Sequence, residues 1–444
     1  MQKIPQRRFV MKKIAFLLCL TTLFLSSCIA LRGTDEVPTQ VPITTPNQNA
    51  EHYSYSDNVK PDEAATDEIQ DPIEKAEIND PYFNTDISFV AVGDNLIHAL
   101  IWLDAEKRGS SEKHYDFLPL YEHIADDVAE ADVAFINQET IMAGEKYGYT
   151  AYPTFNSPQQ LGLDLITLGF DIVNVASNHM LDKGESGYRD MLNFWHEHDD
   201  EITMIGGYYN KADHDNIRIT EVEGVKIAWL AYTYNTNYIS LPTGSEMYVP
   251  YIYTDLTYLR GLDKDLVTSD VTRAKELADV VIVSLHMGTE YTHTPNADQI
   301  ELTQHMADLG VDVILGHHSH CLQPVKWLDG ADGNKTLCIY SMGNIASGQT
   351  GGLKLVGGMF KFRIIGDGEG GLKVVDPLLE PTIMHYGWDY MNTKVYPLDM
   401  YTDELASTHG MGNPNIHGGG ISRAEAIRIV KGCIDAEFLP AYLK

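Results

Sequence analysis

Between residues 87 and 315 the hydrophobic positions alternate between two kinds of run. Short, wholly apolar stretches predict strands at Ile87–Gly93, Asp132–Ile136, Asp171–Ala176, Lys226–Ala231, Val280–Leu285 and Val311–Leu315. Amphipathic stretches predict helices at Tyr115–Glu130, Pro158–Leu168, Gly187–His198, Ser269–Ala278 and Asn296–Leu309. Strands that are apolar throughout and alternate with such helices predict a sheet covered by helices, an α/β fold. Further on, Thr336–Tyr340, Leu355–Ile364 and Gly371–Val375 are β-rich with glycine turns and point to a second sheet. A closing helix is expected near Ser422–Lys431, after the loop Gly410–Gly420.

The first 86 residues follow another pattern. Residues 1–28 hold five basic and no acidic residues around the apolar run Ile14–Leu25. That run is short for a membrane span and suits the centre of an export signal. It ends in Leu25-Ser26-Ser27-Cys28, which resembles the lipobox of bacterial lipoproteins. This implies cleavage before Cys28, its lipidation, and an extracytoplasmic protein anchored by lipid to the bacterial cell membrane. An ordinary signal peptide with an incidental cysteine is the plainer alternative. Residues 29–86 carry 13 acidic and 3 basic residues with few large aliphatics, so a disordered acidic tether is expected. The folded domain is then 87–444, with its motifs in 87–348.

Charge narrows the range of partners. The 444 residues carry a formal charge of -31, and with -10 on residues 29–86 and +5 on residues 1–28, -26 remains on residues 87–444. A surface of that sign repels nucleic acid, which is excluded as a partner. Of the five cysteines, Cys321, Cys338 and Cys433 lie in the domain; a Cys321–Cys338 pair is conceivable, but buried thiols are the simpler expectation.

The chemistry falls at the predicted strand ends. The first strand runs into Asp94 and His98, the second into Asn137 and Glu139, and the third into Asn178 and His179, followed by Asp182. Val280–Leu285 leads to His286 and Glu290, and Val311–Leu315 to His317, His318 and His320. Five strands thus bring oxygen and imidazole donors to one carboxyl edge, where open α/β sheets bind ligands. These donors suit Mn, Fe or Zn, and two such ions can clamp a phosphoryl group and activate water. Each residue alone has a bland role, Asn178 as a helix cap or His98 as a hydrogen-bonded surface histidine. Three imidazoles within residues 317–320 are harder to bury without a partner.

The motifs Gly-Asp-x-x-x-His, Asn-x-Glu, Ser-Asn-His-x-x-Asp-x-Gly, His-x-Gly-x-Glu-Tyr, Gly-His-His-x-His and Ser-x-Gly-Asn, between Ile87 and Gly348, resemble the CapA family. These are poly-γ-glutamate capsule biosynthesis proteins of the calcineurin-like metallophosphoesterase superfamily. The resemblance implies a four-layer α/β/β/α sandwich and two divalent metal ions. Its ligands would be Asp94, His98, Glu139, Asn178, His286, His318 and His320, with Glu139 where a bridging Asp is usual. His179, Asp94 and Glu139 would carry catalysis, His179 by donating to substrate or leaving group. Asn137, Asp182, Glu290, His317 and Asn344 would support ligands or substrate. The stretched Asp94–His98 spacing, Met287 and Ser319 depart from the common wording.

The family implies a role in synthesis or export of a polyanionic capsule polymer, alongside other capsule synthesis and export proteins in the membrane. Two alternatives stay open: a general extracellular metallophosphoesterase unrelated to capsule, and a non-catalytic metal-bearing scaffold. The tyrosines of Tyr232–Tyr258 are expected either to wall a substrate cleft or to pack as a loop over the sheet.

Overall fold

In the computed structural model, described for residues 2–3, 80–412 and 421–444, two β-sheets face each other. Sequence-based expectations for Cys28, the signal, most of the tether and most of the loop 410–420 lie outside the described residues. Tyr82, within the expected tether, packs against the core and its hydroxyl donates to Asp279 (2.8 Å).

In chain order the strands are β1 (Gln2–Lys3), β2 (Asp86–Leu96), β3 (Val133–Asn137), β4 (Ile172–Asn174), β5 (Thr203–Ile205), β6 (Arg218–Val222), β7 (Val225–Thr233), β8 (Tyr253–Asp255), β9 (Arg260–Leu262), β10 (Val280–His286), β11 (Val313–His317), β12 (Leu322–Asp329), β13 (Lys335–Met342), β14 (Asn344–Ser347), β15 (Val356–Gly366), β16 (Leu372–His385) and β17 (Lys394–Pro397). One sheet runs β17-β16-β15-β2-β3-β4-β5, with β14 also on β2. The other runs β1-β6-β7-β10-β11-β13-β12, and β8 and β9 form a separate hairpin. The central pairs β2–β3–β4–β5 and β7–β10–β11–β13 are parallel, so the chemistry-bearing ends of each set share an edge.

The late β-rich segments are thus divided. Thr336–Tyr340 joins the sheet of β10 and β11, whereas Leu355–Ile364 and Gly371–Val375 extend the sheet of β2. Local hydrophobicity marks a strand but does not identify its neighbour, which here is far away in the chain.

The faces between the sheets interdigitate, with Phe135 of β3 stacked on Trp229 of β7 (centroids 6.1 Å apart). Helices cover the outer faces. The α1 helix (Ala99–Arg108), α2 (Ala125–Glu130), α3 (Gln160–Leu168) and α4 (Gly184–His196) pack within the larger core. After the short α5 (Lys211–Asp215), α6 (Lys264–Leu277) and α7 (Ala297–Asp308) bury Val267, Val271, Leu302 and Met306 against β10 and β11. The result is the expected α/β/β/α order of layers.

Local signals explain the helix boundaries. A capping box between Asn296 and Gln299 starts α7, and the Asp263 side chain caps α6. The expected helix 115–130 is interrupted, leaving a 3-10 turn at Leu118–Leu120 and only Ala125–Glu130 as α2. Pro119 has no amide hydrogen to give, and Asp116 draws the Leu118 amide into a turn (3.3 Å). The remaining helices are α8 (Gly352–Leu355), α9 (Asp403–Thr408) and α10 (Arg423–Cys433), the last matching the expected closing helix. Cys321, Cys338 and Cys433 are free thiols, the first two buried. Among the described residues no helix is long and apolar enough to cross a membrane.

Candidate metal centre

The carboxyl ends of β2, β3, β10 and β11, with the loop after β4, bring their polar residues together between the sheets. Five successive strands on one sheet edge were expected; instead β2, β3 and β4 come from one sheet and β10 and β11 from the other. A register shift between Val92 and Asp94 bends β2 just before the carboxylate. Gly93 permits this: a Cβ there would lie 2.0 Å from the Gly343 carbonyl, which accepts the Asp94 amide at 2.8 Å.

Asp94, Glu139, His286, His318 and His320 each expose 2% or less of their surface, so their charges are screened by one another and not by water. Asp94 accepts from Asn137 Nδ2 (2.8 Å) and from the His318 amide (3.2 Å). The His320 ring spans the two acids, Nδ1 3.1 Å from Asp94 Oδ2 and Nε2 3.8 Å from Glu139 Oε1. His286 Nε2 lies 2.8 Å from Asn178 Oδ1 and 3.9 Å from Glu139 Oε1. Asn237 accepts from Asn178 Nδ2 (3.2 Å), which fixes the Asn178 oxygen toward His286. A relay of buried amides, Asn174 to Asn137 (2.7 Å) and Asn137 to Asp94, holds the first acid from behind.

Among the described residues three groups of three have ligand atoms within 4.8 Å of one another; two are here, Asp94, Glu139 and His320, and Glu290, His318 and His320, and the third, His214, Asp215 and Asp270, contains none of the expected ligands. The second brings Glu290, expected only as a supporting residue, in among the donors. His98 belongs to none of these groups. Its Nδ1 lies 3.0 Å from the Leu96 carbonyl and 3.1 Å from the Gly348 amide, leaving Nε2 as the ring nitrogen free of backbone. His317 sits deeper, stacked on Phe135 with Nδ1 3.8 Å from Asp94. Asn344 Oδ1 is 3.0 Å from His320 Nδ1 and accepts its proton. His179 Nδ1 donates to Asp182 (2.7 Å), leaving Nε2 as its other nitrogen.

The electrostatics fit a bound cation. Both Glu139 oxygens are buried without a hydrogen-bond partner, as are His286 Nδ1 and His318 Nδ1. An unpaired buried carboxylate is costly, and a divalent cation is the partner such a set is suited to. Burial pushes the Glu139 carboxyl well above its usual value, against the pull of His320. Burial also works against an ionised Asp94, but His320, His317 and Asn137 outweigh it and hold the carboxyl below its usual range. Burial disfavours the His320 imidazolium, yet Glu139 and Asp94 raise it to about 9. Burial lowers His286 well below its usual value, His317 to about 4, His318 to about 3 and His98 to about 4, which favours neutral, ligand-ready rings.

Two features escaped sequence reasoning. His318 and His320 adopt left-handed backbone, with φ of 85° and 57°, strain of the kind that gathers at functional sites. Tyr234 lies against His318 (centroids 4.4 Å), and Phe155 meets His179 (4.7 Å) and His98 (5.2 Å) edge-on. The other tyrosines of 232–258 are mostly packing residues: Tyr232 bonds Asp270, Tyr251 bonds Thr236 and Tyr253 bonds Asp298.

The profile described as "Bacterial capsule synthesis protein PGA_cap" matches residues 88–349, more than half of the chain, and the chain belongs to that family. Among its relatives are the "PGA biosynthesis protein CapA" of Bacillus subtilis (strain 168), 31% identical over 193 residues, and the "Capsule biosynthesis protein CapA" of Bacillus anthracis, 30% identical over 185. Each alignment covers 41% of this chain; the matches span 44% and 41% of those relatives' lengths. Among solved structures, Haemophilus influenzae NAD nucleotidase (NadN) aligns with a TM-score of 0.38 and 13% identity over 80% of this chain and 57% of that one. A hypothetical protein from Thermus thermophilus aligns with the same score and identity over 66% and 99%.

Proposed function

We propose that this is an envelope protein of capsule polymer synthesis or export, poly-γ-glutamate or a related polyanion, with a hydrolytic centre for two divalent cations. The observation that carries it is Glu139, a carboxylate buried without a hydrogen-bond donor between His286, His320 and Asp94. Asp94, Glu139, Asn178, His286, His318 and His320 would hold the cations, with Glu290 and His98 at the edge. When bound, such cations supply Lewis-acid activation of a phosphoester-type bond and of the attacking water.

The chain's own residues do the rest. His179, oriented by Asp182 through Nδ1, presents Nε2 to the leaving oxygen and, with both ring nitrogens protonated, gives it a proton. Asn137 and Asn174 hold Asp94 in place, and Asn344 holds His320. Family membership supports the capsule role; the signal at 1–28, lipidation of Cys28, the tether 29–86 and the membrane-face location rest on sequence.

Purified protein assayed on a generic phosphodiester with and without Mn²⁺ tests the chemistry. Metal-dependent turnover that is lost in His318→Ala is expected; inactivity with metal bound would favour the scaffold alternative. In cells, surface polymer lost on gene deletion should return with the wild type and not with His318→Ala.

A further inference from the structure

We propose that Lys354 and Tyr291 form an anion subsite beside the metal centre, which holds a free carboxylate of an acidic polymer chain while the neighbouring part of that chain reaches the centre. The inference rests on the capsule-polymer reading and assigns that substrate a point of attachment.

Lys113, Lys264 and Lys361 stand within 2.9 Å of a carboxylate, whereas Lys183 and Lys275 bond hydroxyl or carbonyl oxygens. Lys354 has an aromatic ring as its neighbour instead. Lys354 forms no ion pair among the described residues; its Nζ lies 4.5 Å from the centroid of the Tyr291 ring. That ring is itself 5.9 Å from the His320 ring and tilted from it by only 27°. The ammonium, the phenol ring and a proposed ligand therefore form one adjoining set at the edge of the centre.

The set is held in place. Asn344 presents Oδ1 to His320 and donates through Nδ2 to the Lys354 carbonyl (2.9 Å) and to Gln349 (3.1 Å). Gln349 in turn donates to the Tyr291 hydroxyl (3.4 Å). Tyr291 keeps a left-handed backbone, φ 63°, with its amide on the Ser319 carbonyl and its side chain 45% exposed. An aromatic residue in a costly backbone conformation, half in solvent and against an unpaired ammonium, is arranged for a ligand more than for packing.

The charge of the whole domain gives this local arrangement its purpose. A domain at -26 repels an acidic chain everywhere except where cations are concentrated. The metal centre is one such place, and Lys354 supplies a second, fixed one at its rim. A lysine ammonium is a compact point charge that accepts a carboxylate without demanding the planar geometry of a guanidinium.

The test is binding, so that it does not depend on turnover. The full-length protein, loaded with Mn²⁺, is titrated with a fluorescent hexamer of γ-linked glutamate and with the same hexamer methyl-esterified. Wild type should prefer the acidic hexamer. Lys354→Gln should weaken that binding about tenfold and leave the ester unaffected, whereas Lys354→Arg should retain most of it. An unchanged thermal midpoint in both variants shows that the fold is intact. Equal affinity of wild type and Lys354→Gln for the acidic hexamer overturns the subsite and leaves the capsule reading standing. Failure of wild type to bind the acidic hexamer overturns the capsule reading and the subsite with it.

Discussion

Asp182 holds His179 by its ring: Oδ2 lies 2.7 Å from Nδ1 and also accepts the Phe155 amide at 2.6 Å. The acid is clamped from two sides and imposes one tautomer on the imidazole, with Nε2 free of Asp182. His179→Gln should lower kcat on a phosphodiester by about 10²- to 10⁴-fold with metal content unchanged. Asp182→Asn should cost about 10- to 100-fold, because the ring loses the acid that orients it. Equal activity of Asp182→Asn and wild type would mean that the pair serves only the fold.

Glu139 is buried without a hydrogen-bond donor, and in the metal-free protein the charge that faces it is the His320 imidazolium. Glu139→Gln removes the carboxyl that lifts His320, so the alkaline fall in stability of the metal-free protein should shrink in this variant. The same variant should lose the rise in thermal midpoint that Mn²⁺ gives wild type. Scanning calorimetry across pH, with and without chelator, reads both effects. An alkaline decline as steep in the metal-free variant as in metal-free wild type would contradict this account of Glu139.

The histidines set a pH window for the metal-free protein. His320 rises from 6.5 to about 9 because Glu139 and Asp94 outweigh burial, so the folded state holds a proton that the unfolded chain releases. That stabilisation is complete below 6.5 and disappears as pH rises through 9. His317, lowered to about 4, and His318, lowered to about 3, act the other way, because burial keeps them neutral while the unfolded chain takes up protons. Their contribution is lost as pH falls from 6.5 toward 3. The stability of metal-free protein should therefore peak near 6.5, and Mn²⁺, competing for the His320 site, should abolish the alkaline decline. Denaturant titrations across this range check it; a flat profile from 6.5 to 9 would count against the His320 assignment.

How far the sequence could be read follows from where each interaction lies. The six strands expected between residues 87 and 315 form at their predicted places within a few residues, because buried parallel strands are apolar throughout and β-branched. Asp94, Glu139, Asn178, His286, His318 and His320 follow strand ends, as read from the sequence, but those ends belong to two sheets instead of one. What spacing could not carry is contact between distant loops. Tyr291 beside His320, Asn237 behind Asn178 and Phe155 between His98 and His179 depend on tertiary packing. Glu290 was visible, yet its place among the donors depends on the turn after β10. The short strands β5 and β14 are too brief to show a period, and they became legible only beside their partners.

Close approach of the backbone at the first acid is testable separately. Gly93→Ala places a Cβ 2.0 Å from the Gly343 carbonyl and must displace the Asp94 amide from its acceptor. A loss of about 2 kcal/mol or more is expected in denaturant unfolding, together with weaker metal binding. Wild-type stability in this variant would show that the two strands are more loosely apposed.

The most direct measurement is elemental analysis of the purified protein after Mn²⁺ loading and desalting, beside the double variant Asp94→Asn, Glu139→Gln. The account predicts two equivalents of metal per wild-type chain and a clear loss in the variant, whose circular dichroism stays native. Wild type without bound metal, or a variant that keeps the full complement, would contradict it.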